Sequence, residues 1–167
     1  MQNFKATHIG LVAGFLMVVA SLLSFYVLKN PVESSFQLVL YILFSLGIIL
    51  SLVIFSQTND SNAGFKDYFS AGFKTFVVMV LIMAVFTFIF FSFNTAFRDS
   101  KIAENTKLII AEGNHLPNEI AENEKKLKQL FMPIMVSSAV FRYLIIGALV
   151  TAIAAGFFSR KKNNTAV

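Results

Sequence analysis

Three long stretches without a charged side chain constrain this chain more than any other feature. No Asp, Glu, Lys or Arg occurs in residues 6–28, 34–59 or 75–97, and a fourth apolar stretch, 130–158, contains one charge, Arg142. A bilayer core of about 30 Å is crossed by about 20 helical residues. Each stretch is therefore long enough to cross a membrane as an α-helix.

The overall composition agrees with a membrane protein. Charged residues make up 14% of the chain and the mean hydropathy is +0.71, whereas about a quarter of the residues of a soluble domain are charged. We predict an all-α integral membrane four-helix bundle, a single membrane domain over residues 1–167. The predicted spans cover about 9–28, 36–56, 75–97 and 137–158. We prefer a first span to a cleaved signal peptide, because its apolar run is too long for a signal core.

The segment GFKDYFSAGFKTF, residues 64–76, contains Gly-Phe-Lys twice, eight residues apart. Eight residues are about two helical turns, so both copies face the same way on a helix. The apolar stripe consists of Phe65, Tyr68, Phe69, Gly72, Phe73 and Phe76. We predict an interfacial amphipathic helix over about 64–74, whose phenylalanines enter the acyl boundary and whose lysines reach the headgroups.

The residues assigned to this membrane-surface helix are Phe65, Lys66, Phe69, Phe73 and Lys74. The alternative is that the segment forms the first turns of the third span and has no role of its own.

A polar segment lies between the third and fourth spans. Residues 98–128 hold six basic and six acidic side chains, and GNHLPN in the middle predicts a turn. We predict an extramembrane helical hairpin over about 98–133, with a bend or a break at Pro133. The simplest interpretation of its charges is a solvated surface.

Both termini are predicted to lie in the cytoplasm. The basic run Arg160, Lys161 and Lys162 directly follows the last span, where positive charge counts most for orientation. A raw count of Lys and Arg gives eight on the hairpin side and six on the side of the termini. Most of the eight lie in the long polar segment, where the rule applies less well.

Four segments carry a resemblance to a known family. They are HIGLVAGFLM at the first span, DYFSAGFKTFVVMVLIMAVFTFIFFSF through the third, KLKQLFMP at the end of the hairpin, and AAGFFSRKK at the last span. The chain resembles, over nearly its whole length, small four-span bacterial membrane proteins known as domain of unknown function 4199. The resemblance implies a multi-pass protein of the bacterial inner membrane. It implies no activity and no site residues.

Arg142 is the one charge within a predicted span. A guanidinium at mid-bilayer costs about 2.5–3.5 kcal/mol even on the most lenient scale. One hypothesis is an inward-facing Arg142 in a polar cluster near the outer mouth of the bundle. The candidate partners at that depth are Gln37, Tyr41, Ser92, Asn94 and Glu33. The alternative is an interfacial arginine beside Tyr143 in an aromatic belt.

Small residues predict helix packing at two places. Gly10 and Gly14 form GxxxG in the first span, and Ala148, Ala152 and Gly156 recur every four residues in the fourth. Such spacing lets helices approach closely. We expect these contacts within one bundle, and contacts between subunits are the alternative.

The sequence contains little that suggests catalysis. The predicted spans hold no Asp, Glu, His or Lys, which argues against a proton-coupled pump or a membrane-embedded hydrolase. Cysteine is absent and the two histidines are isolated, so no metal site, cofactor or catalytic residue is predicted. The net charge of +5 is explained by residues that flank the spans, and no nucleic-acid partner is expected.

Two functions remain for such a chain. The first is a non-enzymatic accessory or scaffold protein, surrounded by lipid, that engages a membrane protein partner through its hairpin or interfacial helix. The second is a small oligomeric channel or transporter subunit, in which Arg142 sets an anion preference.

Overall fold

A computed structural model describes residues 2–27, 34–58, 63–114 and 116–163. Within these ranges the regular structure is entirely α-helical, which confirms the predicted all-α class. The five helices are α1 (Gln2–Tyr26), α2 (Ser34–Thr58), α3 (Phe65–Phe93), α4 (Thr95–Glu112) and α5 (Pro117–Asn163).

Four of the helices are long and apolar enough to cross a membrane. The qualifying segments are Ala6–Tyr26 of α1, Phe36–Thr58 of α2, Phe65–Phe93 of α3 and Pro117–Arg160 of α5. All four expose large apolar side chains, such as Phe15, Leu38, Leu81 and Ile153, and apolar surface on this scale indicates contact with lipid. The prediction of four apolar helices of spanning length is confirmed.

Helix α3 is continuous from Phe65 to Phe93. The segment predicted as an interfacial helix leading into the third span therefore forms the first turns of α3. Gly64 precedes the helix, and its backbone N–H donates to Oδ2 of Asp67 at 2.9 Å. A carboxylate at the third helical position thus satisfies a donor at the helix start, so α3 begins here rather than at the apolar run that follows.

Helix α3 ends earlier than the predicted third span, at Asn94. This residue leaves the helical region, with φ −98° and ψ 62°, and its side-chain Nδ2 donates to the carbonyl of Phe90 at 2.9 Å. Asparagine side chains compete with the backbone for such partners, which favours helix ends. Helix α4 then ends at Gly113, whose left-handed φ of 70° glycine adopts without strain.

Helix α5 is a single helix of 47 residues that contains Pro133. The predicted alternative of a break at Pro133 is therefore wrong. Proline costs the helix one N–H donor and crowds the preceding turn, and the long run of helix-forming residues on both sides outweighs this loss.

The chain divides into two compact units. Unit 1 comprises Met1–Met83 and Val140–Val167, and unit 2 comprises Ala84–Ala139. The core of unit 1 contains fully buried side chains from three helices, namely Met17, Phe44, Ile48, Leu52 and Met79. Helices α1, α2 and the first part of α3 thus share one apolar interior.

The interior of unit 2 is smaller and aromatic. Ile102 of α4 and Phe131 of α5 are buried, and the ring of Phe91 lies 5.2 Å from that of Phe131 and 5.9 Å from that of Phe97. The end of α3, the start of α4 and the first half of α5 therefore meet around Phe91.

Candidate functional site

Six of the described hydroxyl side chains are buried inside unit 1. Four of them are Ser51 of α2, Tyr68 and Thr75 of α3, and Thr151 of α5, and we call these four the hydroxyl cluster. Polar groups in an apolar interior are costly unless they are hydrogen-bonded. The cluster is therefore the feature of the interior that needs a physical explanation.

Thr75 connects three helices. Its Oγ1 lies 2.6 Å from Oγ of Ser51, 3.1 Å from the carbonyl oxygen of Ala71 and 3.3 Å from that of Ala6. All four residues lie in unit 1, and Thr75 is fully buried. A hydrogen bond between helices inside a membrane contributes about 0.6–2 kcal/mol, so this network holds α1 and α2 against α3.

Tyr68 and Thr151 differ from Thr75. Among the residues that the structure describes, neither Oη of Tyr68 nor Oγ1 of Thr151 has a hydrogen-bond partner, although both atoms are buried. The ring of Tyr68 lies between Phe55, at 5.2 Å, and Phe158, at 5.8 Å. A buried hydroxyl without a hydrogen-bond partner costs about 1–3 kcal/mol of stability. These two hydroxyls are therefore expected to lower the stability of unit 1.

The two glycines of the Gly-Phe-Lys repeat serve different purposes. A Cβ at Gly72 would lie 2.6 Å from Cγ2 and 3.1 Å from Oγ1 of Thr151, whereas a Cβ at Gly64 would meet only Asp67, at 4.0 Å. Gly72 is therefore where α3 approaches α5, and Gly64 starts the helix. The repeat does not produce two equivalent contacts.

The predicted apolar stripe of α3 divides into two sides. Tyr68, Gly72 and Phe76 are buried within unit 1. Phe65 and Phe73 remain 49% and 47% exposed. Six aromatic and glycine positions at helical spacing cover more than one face, so one side packs on protein and the other stays outside.

The outer side of this stripe forms a stack of rings. The centroids of Phe65 and Phe69 are 5.8 Å apart and those of Phe69 and Phe73 are 6.3 Å apart, both pairs in stacked geometry. We call these three residues the phenylalanine ladder. Lys66 beside the ladder is exposed, and Lys74 is half-buried.

Arg142 is exposed on α5. Its neighbour Tyr143 is buried and its ring contacts those of Tyr41, at 5.8 Å, and Phe44, at 5.1 Å. Consecutive helical residues point about 100° apart, so Tyr143 rather than Arg142 faces the interior. Among the described residues of unit 1, no hydrogen bond or ion pair joins Arg142 to the half-buried Gln37 or to Tyr41.

The other members of the predicted polar cluster lie elsewhere in the chain. Ser92 and Asn94 belong to unit 2, where Oγ of Ser92 donates to the carbonyl of Phe88 at 2.8 Å and Asn94 donates to Phe90. Both side chains thus bind carbonyls of their own helix. Glu33 lies outside the described residues.

Glycines of α1 lie against α3. A Cβ at Gly10 would lie 2.7 Å from the carbonyl oxygen of Thr75, and one at Gly14 would lie 2.6 Å from Cδ1 of Ile82. Both predicted packing glycines therefore occupy places where no side chain fits, within unit 1.

The residues of α5 that pack closely against other helices each lie one position before the predicted ones. Ala148 is exposed, Ala152 is half-buried, and a Cβ at Gly156 would meet nothing within 4 Å. The buried face instead contains Tyr143, Gly147, Thr151 and Ala155. A Cβ at Gly147 would lie 2.7 Å from the ring of Phe76, so the helix contact is made by the neighbouring set.

Sequence reasoning did not single out the hydroxyl cluster. A signal was present, because Tyr68, Gly72 and Thr75 follow the i, i+4, i+7 spacing of one helix face. Ser51 and Thr151 are also hydroxyl residues inside uncharged stretches. What the sequence lacked was any indication of which faces of the four helices meet. In the described part of the chain, no group of three or more His, Cys, Asp or Glu side chains could hold a metal ion.

Comparison with known proteins gives one result. Residues 8–160 match the family described as Protein of unknown function (DUF4199). Neither the curated proteins nor the solved structures provide a match. The family match covers nearly the whole chain, including all four apolar helices, and agrees with the resemblance seen in the sequence. The chain therefore belongs to the DUF4199 family.

Proposed function

We propose that this chain is a non-enzymatic accessory or scaffold protein of the bacterial inner membrane. In this proposal the four apolar helices form a bundle in the bilayer, and α4 with the first part of α5 forms a helical hairpin outside it. The support comes from the apolar exterior and tightly packed interior of unit 1, together with the charged surface of unit 2. The hairpin engages a second membrane protein.

The observation that carries this function is the contrast between paired charges and exposed apolar residues in unit 2. Nζ of Lys101 lies 2.6 Å from Oε2 of Glu104, and Nζ of Lys126 lies 2.7 Å from Oε1 of Glu122. Leu108, Ile110 and Leu116 are all more than half exposed next to the turn at Gly113. Burying one such side chain against a partner contributes about 1.5–3 kcal/mol.

A photo-crosslinking experiment tests this function. A benzoylphenylalanine placed at Leu108 or Leu116 should form a discrete protein adduct in intact cells, because these side chains lie in the proposed contact. The same probe at Ser100, which is exposed on α4 like Leu108, is the matched control. Equal adduct patterns at all three positions, or adducts to lipid alone, would contradict a protein partner at the hairpin.

The proposed orientation places both termini in the cytoplasm and the α4–α5 turn outside. The chain has no cysteine, so a single cysteine introduced at the exposed Asn114 reports its own side. We expect a membrane-impermeant maleimide to label it in intact cells, and a fluorescent protein fused after Val167 to be bright. A dark fusion at normal expression would overturn the orientation.

The alternative function is a small oligomeric channel or transporter subunit. It is favoured by the exposure of Arg142 and Ala148 on the same helix. In an oligomer, the small Ala148 would let helices of neighbouring subunits pack closely, and Arg142 would line a pore. A symmetric oligomer whose anion flux in vesicles falls in Arg142→Gln supports this alternative. A monomer without flux supports the scaffold.

A further inference from the structure

We propose that the end of unit 1 where α3 begins and α5 ends binds the headgroups of anionic phospholipids. The phenylalanine ladder enters the acyl region, and Lys66 and Arg160 contact the lipid phosphate. The proposal rests on the proposed function, because only membrane-spanning helices bring this end of unit 1 to a bilayer surface. It adds a lipid partner of defined charge.

The packing of two rings places the cations at one end of the unit. The ring of Tyr68 stacks on that of Phe158 at 5.8 Å, with an interplanar angle of 19°. Lys66 lies two residues before Tyr68 in α3, and Arg160 lies two residues after Phe158 in α5. The start of α3 and the end of α5 are therefore neighbours, and both cations lie at this end of unit 1, each two residues along its helix from the contact.

These cations are available to an external anion. Lys66 and Arg160 are exposed, and neither forms an ion pair or hydrogen bond with another residue that the structure describes. The nearby carboxylate of Asp67 accepts the backbone N–H of Gly64. In unit 2, by contrast, three of the five lysines, namely Lys101, Lys126 and Lys128, are each paired with a glutamate. Among the described residues, Lys66 and Arg160 thus have no paired carboxylate, and a lipid phosphate supplies the counterion.

The ladder identifies the occupant as lipid rather than a soluble anion. Phe65 and Phe73 are about half exposed on the same helix as Lys66, and this helix continues into further exposed apolar residues such as Leu81. Aromatic and cationic side chains side by side suit the boundary between acyl chains and headgroups. A free phosphate would leave the ladder in water, whereas a phospholipid covers both parts.

Fluorescence quenching by brominated lipids tests the proposal. The chain has no tryptophan, so Phe73→Trp in the full chain reports from the ladder alone. Leu46→Trp, at an exposed position of α2, is the reference for acyl contact away from the cations. Each protein is reconstituted with dibrominated phosphatidylglycerol or dibrominated phosphatidylcholine at equal mole fraction.

From the quenching of Phe73→Trp we expect phosphatidylglycerol to bind about fivefold or more tightly than phosphatidylcholine. Each surface cation raises the affinity for an anionic lipid by about this factor. At Leu46→Trp the two lipids should quench equally. Adding Lys66→Gln and Arg160→Gln to Phe73→Trp should bring the preference close to one. Adding Lys107→Gln and Lys125→Gln, two exposed lysines of unit 2, removes the same charge and should leave the preference unchanged.

Several results would overturn the proposal. Equal quenching by both lipids at Phe73→Trp excludes an anionic site, and so does a preference that survives Lys66→Gln with Arg160→Gln. Quenching at Leu46→Trp but not at Phe73→Trp excludes lipid contact of the ladder while leaving the spanning helices intact. If neither tryptophan is quenched, the proposed function fails as well. Circular dichroism and gel filtration of each variant establish that it is folded.

Discussion

Unit 1 and unit 2 keep their polar groups in opposite places. In unit 1 the polar side chains of Ser51, Thr75 and Thr151 are buried and uncharged, and many large apolar side chains are exposed. In unit 2 the polar groups are exposed ion pairs, and the interior consists of Ile102 and aromatic rings. The stability of unit 1 should therefore depend on shape and on single hydrogen bonds, and that of unit 2 should be insensitive to its surface charges.

The largest expected effect is at Gly147 in unit 1. The substitution Gly147→Leu places a Cβ 2.7 Å from the ring of Phe76 and 3.2 Å from that of Phe44. Overpacking of this kind costs about 1–3 kcal/mol and sometimes more, and here two large rings must move. We expect a loss of about 3 kcal/mol or more in the free energy of unfolding, measured by SDS titration in mixed micelles.

Gly156→Ala is the control for Gly147→Leu, because its new Cβ would meet nothing within 4 Å. It should be neutral or stabilise by up to about 1 kcal/mol, since alanine favours helix over glycine. Equal stability of the two variants would show that α5 does not pack closely on this face.

The second expected effect concerns the network around Thr75. Thr75→Val keeps the shape but removes the hydroxyl that contacts Ser51 and the carbonyl of Ala6. We expect a loss of about 1–3 kcal/mol, because Ser51 is left buried without this partner. In the double variant Thr75→Val with Ser51→Ala, part of the loss should be recovered. Strictly additive losses in SDS titration would argue against a direct bond between the two hydroxyls.

The third prediction is a gain of stability rather than a loss. Thr151→Val removes a buried hydroxyl that has no partner among the described residues and preserves the shape that fills the space beside Gly72. We expect a gain of up to about 1 kcal/mol in the free energy of unfolding. A loss of stability comparable to that of Thr75→Val would show that Oγ1 of Thr151 has a hydrogen-bond partner when the protein is in a membrane.

The smallest expected effect is on the surface of unit 2. Nζ of Lys128 lies 2.6 Å from Oε1 of Glu124, with much of both side chains exposed to solvent. Exposed pairs at this spacing contribute little to stability, because water and salt screen the two charges. Glu124→Gln should therefore change the thermal midpoint by less than the error of most measurements, and added salt should not alter this. A large change would remove the contrast between the units.

The sequence predicted the helices better than their contacts. Uncharged stretches identify spanning helices because charge is costly in a bilayer, and this signal gave four apolar helices of spanning length. This signal contains no information about which side of each helix faces protein and which side faces lipid. Where every face is apolar, the hydrophobic period cannot separate lipid-facing from protein-facing residues. This is why Ala148 and Gly156 were selected although Gly147 and Ala155 are the buried residues.

The helix ends show a similar division. The turn near Gly113 was predicted from local residue types, because glycine and proline restrict the backbone directly. The continuity of α5 through Pro133 depends on the strength of the helix on both sides, which no single residue specifies. The hydroxyl cluster is formed where α2, α3 and α5 meet, and the sequence does not contain the distances between separate helices.

The geometry at Thr75 has a dynamic consequence. Its hydroxyl carries one hydrogen, while the carbonyl oxygens of Ala71 and Ala6 both lie within reach. A rotation about a single side-chain bond therefore decides whether that hydrogen stays on its own helix or links to the neighbouring one. The two carbonyl oxygens therefore compete for the same hydrogen, and this hydroxyl links α1 to α3 only while its hydrogen points towards Ala6.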